Sequence, residues 1–336
     1  MNNPLVSNIL KNNFLTAILL LSVGLLILKL KSIIIAIFIS FIIMSAFLPY
    51  VEFLRKKGVP KIISVLIPYV VVIIFLTTLI FPLIPFFSSQ IQSLFVTLPE
   101  YINQAAVIFG IDLKPEQLQS FVEAEIGEIG KNAFEVTSRV FGGIFSTLMI
   151  FVISFYLLLD HDRLKKSTVN LFRSDRQERI ALTISRIEDK IGGWFRGQIV
   201  LSLFIGSITW IGLSLLGIEF ALPLALIAGI LEILPTIGPI IAAVPAVIVA
   251  LNMSFNSALI VILFYTALQA AENNLLVPRV MQKAVGLHPV AIIISVIVGG
   301  ELLGILGALL AIPFVSLILI IYNSLSKRAV DHPSRV

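Results

Sequence analysis

Residues 232–245, EILPTIGPIIAAVP, decide how the chain is read. Apolar sequence flanks the stretch on both sides, yet it holds Glu232, three prolines (Pro235, Pro239, Pro245) and Gly238. Proline lacks a backbone donor and clashes with the preceding turn, so Pro235 and Pro239 break any helix here. From Phe220 to Leu251 one continuous helix of about 32 residues would be roughly 48 Å long, against a bilayer core of ~30 Å. One long, tilted, kinked helix is the plainer reading. A hairpin that dips into the membrane, turns at Pro235–Pro239 and leaves on the side it came from is the reading adopted. Broken backbone at membrane depth is tolerated only inside protein or along a wet cavity, which makes the turn a candidate substrate site.

A second segment has the same character. From Pro289 to Asn323 the chain is apolar, is interrupted at Gly299-Gly300-Glu301 and Gly304-Ile305-Leu306-Gly307, and continues through Pro313. Paired, interrupted hydrophobic segments are the sequence mark of a transporter binding site.

Composition sets the class. The 336 residues are 58% hydrophobic and 13% charged, with a mean hydropathy of +1.05, whereas soluble domains carry roughly 25% charged residues. The fold class expected is an all-α polytopic membrane protein. Cysteine is absent, which excludes disulfides and thiolate metal sites. The three histidines, His161, His288 and His332, have no neighbour at metal-ligand spacing. The net charge of +5 reflects Lys and Arg in loops, where they set topology, and does not point to nucleic acid.

In chain order, residues 1–87 read as three crossings that form a scaffold. The first apolar run, Phe14 to Leu28, is followed by no small-residue cleavage site and reads as an anchor. The basic loop Arg55-Lys56-Lys57 marks the cytoplasmic side, with Lys29 and Lys31 snorkelling outside. Residues 88–140 read as an acidic, extracytoplasmic region of short amphipathic helices. Residues 141–160 cross back. Residues 161–198 carry nine Lys and Arg between Arg163 and Arg196, and an apolar stripe Ile180, Ile184, Ile187, Ile191, Trp194. A charged helix with such a stripe is expected on the cytoplasmic membrane interface, packing against a second subunit being the alternative. Residues 199–323 hold the two interrupted segments, and 324–336 form a cytoplasmic tail.

Charge parity tests the hairpins. If each interrupted segment crosses once, the loop bearing Arg279 and Lys283 lies outside and the uncharged Asn252–Asn256 loop inside. If each is re-entrant, the basic loop lies inside, as the positive-inside rule favours. The consequence is an inverted repeat of one transmembrane helix plus one re-entrant hairpin, Ile199–Leu251 and Ser257–Asn323, with additional scaffold helices. Opposed repeats supply the symmetry of alternating access, with the site where the hairpin tips meet.

Three blocks carry a specific resemblance: ILEILPTIGPIIAAVPAVIVAL at 230–251, AENNLLVPRVMQKAVGLHPVAI at 271–292 and GGELLGILGALLAIP at 299–313. In this order they resemble the signature blocks of the autoinducer-2 exporter (AI-2E, or PerM) family over Ile199–Tyr322. The resemblance implies eight membrane segments, a bacterial inner-membrane location and a homo-oligomer, a pentamer among the forms; the charge pattern puts both termini in the cytoplasm. It implies export of autoinducer-2 or, in some members, exchange of sodium for protons.

Site candidates follow from cost and position. A carboxylate in the membrane costs about 2.5–3.5 kcal/mol, so Glu232 at the first break and Glu301 at the second are functional by default. The alternative is a structural role: Glu232 bonding backbone freed near Pro235, or Glu301 reaching water at a hairpin tip. Tyr265, Gln269, Glu272 and Asn273 recur on one helix face, which suits a hydroxyl-rich solute or a hydrated cation, or simply organises the helix end. Thr236, Gly238, Gly300, Gly304 and Gly307, with Pro235 and Pro239, would offer freed backbone groups at the tips.

The expected function is secondary transport of a small polar solute, autoinducer-2 among the candidates, by alternating access of elevator type. No cofactor is expected; coupling to protons or sodium would run through the carboxylates. A sodium/proton antiporter and a non-transporting scaffold or sensor are the alternatives. Enzyme chemistry is not expected: no GxSxG nucleophile with a His partner and no GxxxxGK[ST] loop occurs.

Overall fold

The computed structural model describes residues 21–22, 25–26, 29–75, 77–78, 84–108, 133–234, 237–277 and 289–325. Among these there is no strand. The helices are α1 (Lys31–Lys56), α2 (Lys61–Phe75), α3 (Ile84–Ile108), α4 (Ala133–Leu159), α5 (His161–Asn170), α6 (Ser174–Leu215), α7 (Ala221–Leu231), α8 (Ile237–Met253), α9 (Phe255–Ala271) and α10 (Pro289–Leu325). Four helical stretches, Lys31–Lys56, Ser174–Leu215, Phe255–Leu276 and Val290–Ser324, are long and apolar enough to cross a membrane. Large apolar side chains such as Leu203, Ile211, Leu263 and Ile297 point outward. Lipid tails are as apolar as leucine, so that outward face suits a bilayer. The chain is an all-α polytopic membrane protein.

The spine is α6. At 42 residues it is roughly 63 Å long, twice the bilayer core. The boundary at 198/199 drawn from sequence falls inside this one helix, because nothing between Arg196 and Leu201 breaks it: the segment lacks proline and its single glycine, Gly197, is buried. Three of the five residues of the apolar stripe expected at the membrane interface are internal, while Ile180 and Ile184 are half-buried. Ile187, Ile191 and Trp194 form one buried cluster with Ile42 of α1 and Val296, Ala311 and Ile312 of α10. The stripe found a protein partner because the second interrupted segment folds back alongside it.

Both interrupted segments turn. In α10, Gly304 has φ 63° and ψ −148°, a region that essentially only glycine occupies. On either side of it, the backbones of Gly299 and Gly307 touch, so that a Cβ on either would strike the other's carbonyl oxygen. In a continuous helix eight residues apart means ~12 Å; contact means the chain has reversed. In the first segment α7 and α8 pack on each other, and a Cβ on Gly238 would strike the Leu231 carbonyl.

The open ends of the first hairpin meet one residue. Tyr101 Oη on α3 donates to Glu219 Oε2 (2.6 Å) just before α7, and Asn252 Nδ2 at the end of α8 donates to the Tyr101 carbonyl (3.3 Å). The α7–α8 hairpin therefore starts and finishes at one level. The second hairpin is anchored near the other end of the spine, where Ser324 and Thr183 share a hydroxyl hydrogen bond.

Within the third crossing, read as Ile62–Phe87, the described residues are helical over Lys61–Phe75 and again from Ile84. Of the region 88–140, α3 covers the residues up to Ile108 and α4 those from Ala133; residues 109–132, where the short amphipathic helices were expected, lie outside the described part. Packing around Leu94 joins α3 to the core formed by Leu213, Leu224, Val249 and Val261.

Candidate functional site

The spine also fixes where the carboxylates stand. α1 contains Pro49, which cannot donate to the Ser45 carbonyl one turn earlier. Arg196 Nη1 on α6 takes over, donating to Ala46 O (2.9 Å) and Ser45 O (3.3 Å). Two residues on, Gln198 is 4% exposed, and its Nε2 donates to the backbone carbonyl of Glu232 (2.7 Å). Carbonyls at a helix C-terminus have no partner within the helix. The Gln198 amide supplies one, and so pins the tip of the first hairpin to the spine.

Glu232 caps α7 and is 2% exposed. Its carboxyl lies against that of Glu272, which is 3% exposed. Glu272 opens a π-turn, Glu272–Leu276, that follows α9 directly; such turns recur at functional sites. Gln269 Nε2 donates to Glu272 Oε2 (3.2 Å), while Glu232 Oε2 has no hydrogen-bond partner among the described residues. No Lys or Arg among them pairs with either carboxyl. Two adjacent buried carboxyls cannot both carry charge without a counter-ion. The pair accordingly suits a shared proton or a bound cation. No group of three or more His, Cys, Asp and Glu able to hold a metal is present among the described residues.

The other sequence candidates divide. Gly238 sits in the turn, packed on Leu231, and Pro239 lies in the first turn of α8, where a missing N–H costs nothing. Pro235 and Thr236 lie outside the described residues, as do Arg279, Lys283 and His288. Tyr265 shares the α9 face with Glu272 but is held two turns away in the apolar core beside Leu213 and Val261. Asn273 is exposed, because the π-turn rotates it off that face. Gly300, Glu301 and Gly304 are not in this pocket: Glu301 and Gly304 are exposed at the second tip, and Gly307 is buried in that hairpin's own contact.

Leu234 and Ile237 at the first tip pack against a shared cluster that joins Ile42 of α1, Ile187, Ile191 and Trp194 of α6, and Val296, Ala311 and Ile312 of α10. Sequence reasoning overlooked Gln198, although a lone amide opening an apolar run was a usable signal. A mainly apolar groove of about 380 Å³ between α6 and α7, which neither carboxyl lines, is bounded by Ser202, Gly206, Trp210, Ala225, Gly229 and Ile233.

Comparison with known proteins shows the family. The AI-2E family transporter profile matches residues 15–327. YrrI of Bacillus subtilis (strain 168) is 27% identical, over 91% of this chain and 90% of its own. YueF of the same strain is 29% identical, over 82% and 79%. The AI-2 transport protein TqsA of Escherichia coli (strain K12) is 25% identical, over 79% and 78%. A polytopic helical chain with two interrupted segments, matched almost end to end, is a membrane transporter, and it belongs to the AI-2E transporter family.

Proposed function

We propose that the chain is a secondary transporter that moves a small polar solute by alternating access, elevator-like, with a proton or sodium ion bound at Glu232 and Glu272 as the coupling particle. The buried carboxyl pair carries this reading. It joins the tip of one hairpin to the π-turn behind the next helix, so filling or emptying it changes the charge at the joint between them. A carboxylate pair alternately loaded from two sides is what coupling needs. The two units of one helix plus one hairpin would act as an inverted repeat, with α1, α2 and α4 as scaffold, in a bacterial inner membrane with both termini cytoplasmic. A homo-oligomer, a pentamer among the forms to test, belongs to the same reading. Autoinducer-2 is the first solute to try, since TqsA carries it in its name.

A sodium/proton antiporter is the second reading, favoured by the same pair because it needs no organic solute. The test is flux in proteoliposomes under an imposed pH or sodium gradient, with wild type, Glu232→Gln and Glu272→Gln. Solute flux that follows the gradient in wild type and loses that dependence in both variants supports the proposal. Sodium-driven proton movement with no solute present selects the second reading. Wild-type gradient dependence in both variants removes the pair from coupling.

A further inference from the structure

At the far end of the spine from the first hairpin's open ends, charged side chains from three helices meet around one histidine. His161 opens α5, and its side chain is only 11% exposed. Its Nε2 lies 2.8 Å from Glu188 Oε1 of α6, and its Nδ1 lies 3.5 Å from Asp162 Oδ1. Asp162 Oδ2 in turn accepts from Arg55 Nη1 at the end of α1 (3.0 Å). Glu188, with a side chain 5% exposed, is also held by Lys165 Nζ (3.3 Å), which donates to Ser185 Oγ at 2.7 Å as well. The groups facing His161 are thus Glu188 from α6, Asp162 and Lys165 from its own helix, and Arg55 of α1 through Asp162.

Both ring nitrogens face a carboxylate. A neutral imidazole carries one N–H and one lone pair, so it can donate to only one of them; the imidazolium donates to both. We propose that the His161–Asp162–Glu188 cluster is a proton-operated clamp that fastens α6 to α5 and α1, tight when both nitrogens of His161 are protonated and slack when one proton leaves. When it leaves, a carboxylate faces a lone pair, and either the link to Glu188 or the link through Asp162 to Arg55 is broken.

The site stands apart from the Glu232–Glu272 pair and acts on the helix that serves that pair. Three residues beyond Glu188, α6 packs on α1 and α10 through Ile191; ten residues beyond, Gln198 holds the first hairpin tip. The hydrogen bond to Glu188 raises the His161 pKa above its ordinary value, with burial and Lys165 opposing. The sign follows: a raised pKa gives a contact complete below the ordinary value of about 6.5 and lost as pH rises through the raised one. Alkaline conditions at the α5 end loosen this joint, which the Lys165 bonds to Glu188 and Ser185 still hold together.

The chain has no cysteine and only three histidines, which makes the test direct. Histidine NMR of the full chain in nanodiscs, assigned with His161→Gln, reads the titration. Spin labels on cysteines placed at the exposed positions Lys166 and Arg186 read the α5–α6 distance in otherwise wild-type protein. The clamp predicts that His161 titrates above about 6.5, that Glu188→Gln lowers that value, and that the distance distribution broadens as pH passes through it. Titration at or below the ordinary value overturns the proposal. So does a distribution unchanged across the titration, which needs no folded variant to observe.

Discussion

Adding one methyl group at Gly307 separates a hairpin from a straight helix by the sign of its effect. In the folded chain a Cβ at this position would land on the Gly299 carbonyl oxygen, 2.7 Å from both the Gly299 carbonyl carbon and Leu303 Cβ. Carbon atoms rest ~3.5–4.0 Å apart, so the two arms must part by roughly 1 Å. The obstacle is backbone on one side, which cannot rotate away. Overpacking costs about 1–3 kcal/mol; with backbone in the way, Gly307→Ala belongs at the upper end, close to a hundredfold in the equilibrium between closed and opened hairpin. Gly300→Ala is the control. A Cβ there meets only Ala308 Cβ, at 3.8 Å, which is ordinary contact. Were the segment one straight helix, either alanine would stabilise it by up to ~1 kcal/mol through helix propensity. Thermal unfolding of the purified protein in nanodiscs decides the matter. The expected result is a Tm several degrees lower for Gly307→Ala than for Gly300→Ala; equal or higher stability of Gly307→Ala would refute the reversal at Gly304.

Gln198→Leu leaves the Glu232 carbonyl without its partner and should cost about 1–3 kcal/mol, read as lowered Tm together with a shifted pH profile of flux; a lowered Tm with an unchanged profile would limit Gln198 to structure. Arg196→Met removes the donor to the Ser45 and Ala46 carbonyls one turn before Pro49 and should destabilise by a similar ~1–3 kcal/mol, while Lys at 196, able to reach one carbonyl, should restore part of the loss. Tyr101→Phe loses the 2.6 Å bond to Glu219 and should loosen the open end of the first hairpin, seen as faster amide exchange at residues 219–222; unchanged exchange there would count against Tyr101 as the tie.

Much of the fold was legible in the sequence because membranes restrict the options. Over-long apolar segments with Pro235, Pro239 and Gly304 could not cross as plain helices, and composition alone named the class. Glu232 was legible as a costly charge and Glu272 as part of a polar helix face, but the two were not legible as a pair. They are forty residues apart, and only the return of α9 beside the first tip brings them together. Asn273 was misplaced because a 3.6-residue period was carried through a π-turn that the period does not describe. The stripe at Ile187 and Ile191 was assigned to a membrane surface because an apolar face read alone does not say whether lipid or protein covers it. Gln198 and the His161 cluster escaped because their partners, a backbone carbonyl and a carboxylate on another helix, leave no local pattern.

The central claim is that two hairpins dip toward the spine from opposite ends, so that each starts and finishes on its own side. Single cysteines at Glu219, Asn256 and Asn323, tested in intact cells with a membrane-impermeant thiol reagent, examine it most directly. The account predicts that positions 219 and 256 react from one face and 323 only from the other. Labelling of 219 and 256 from opposite faces would contradict it.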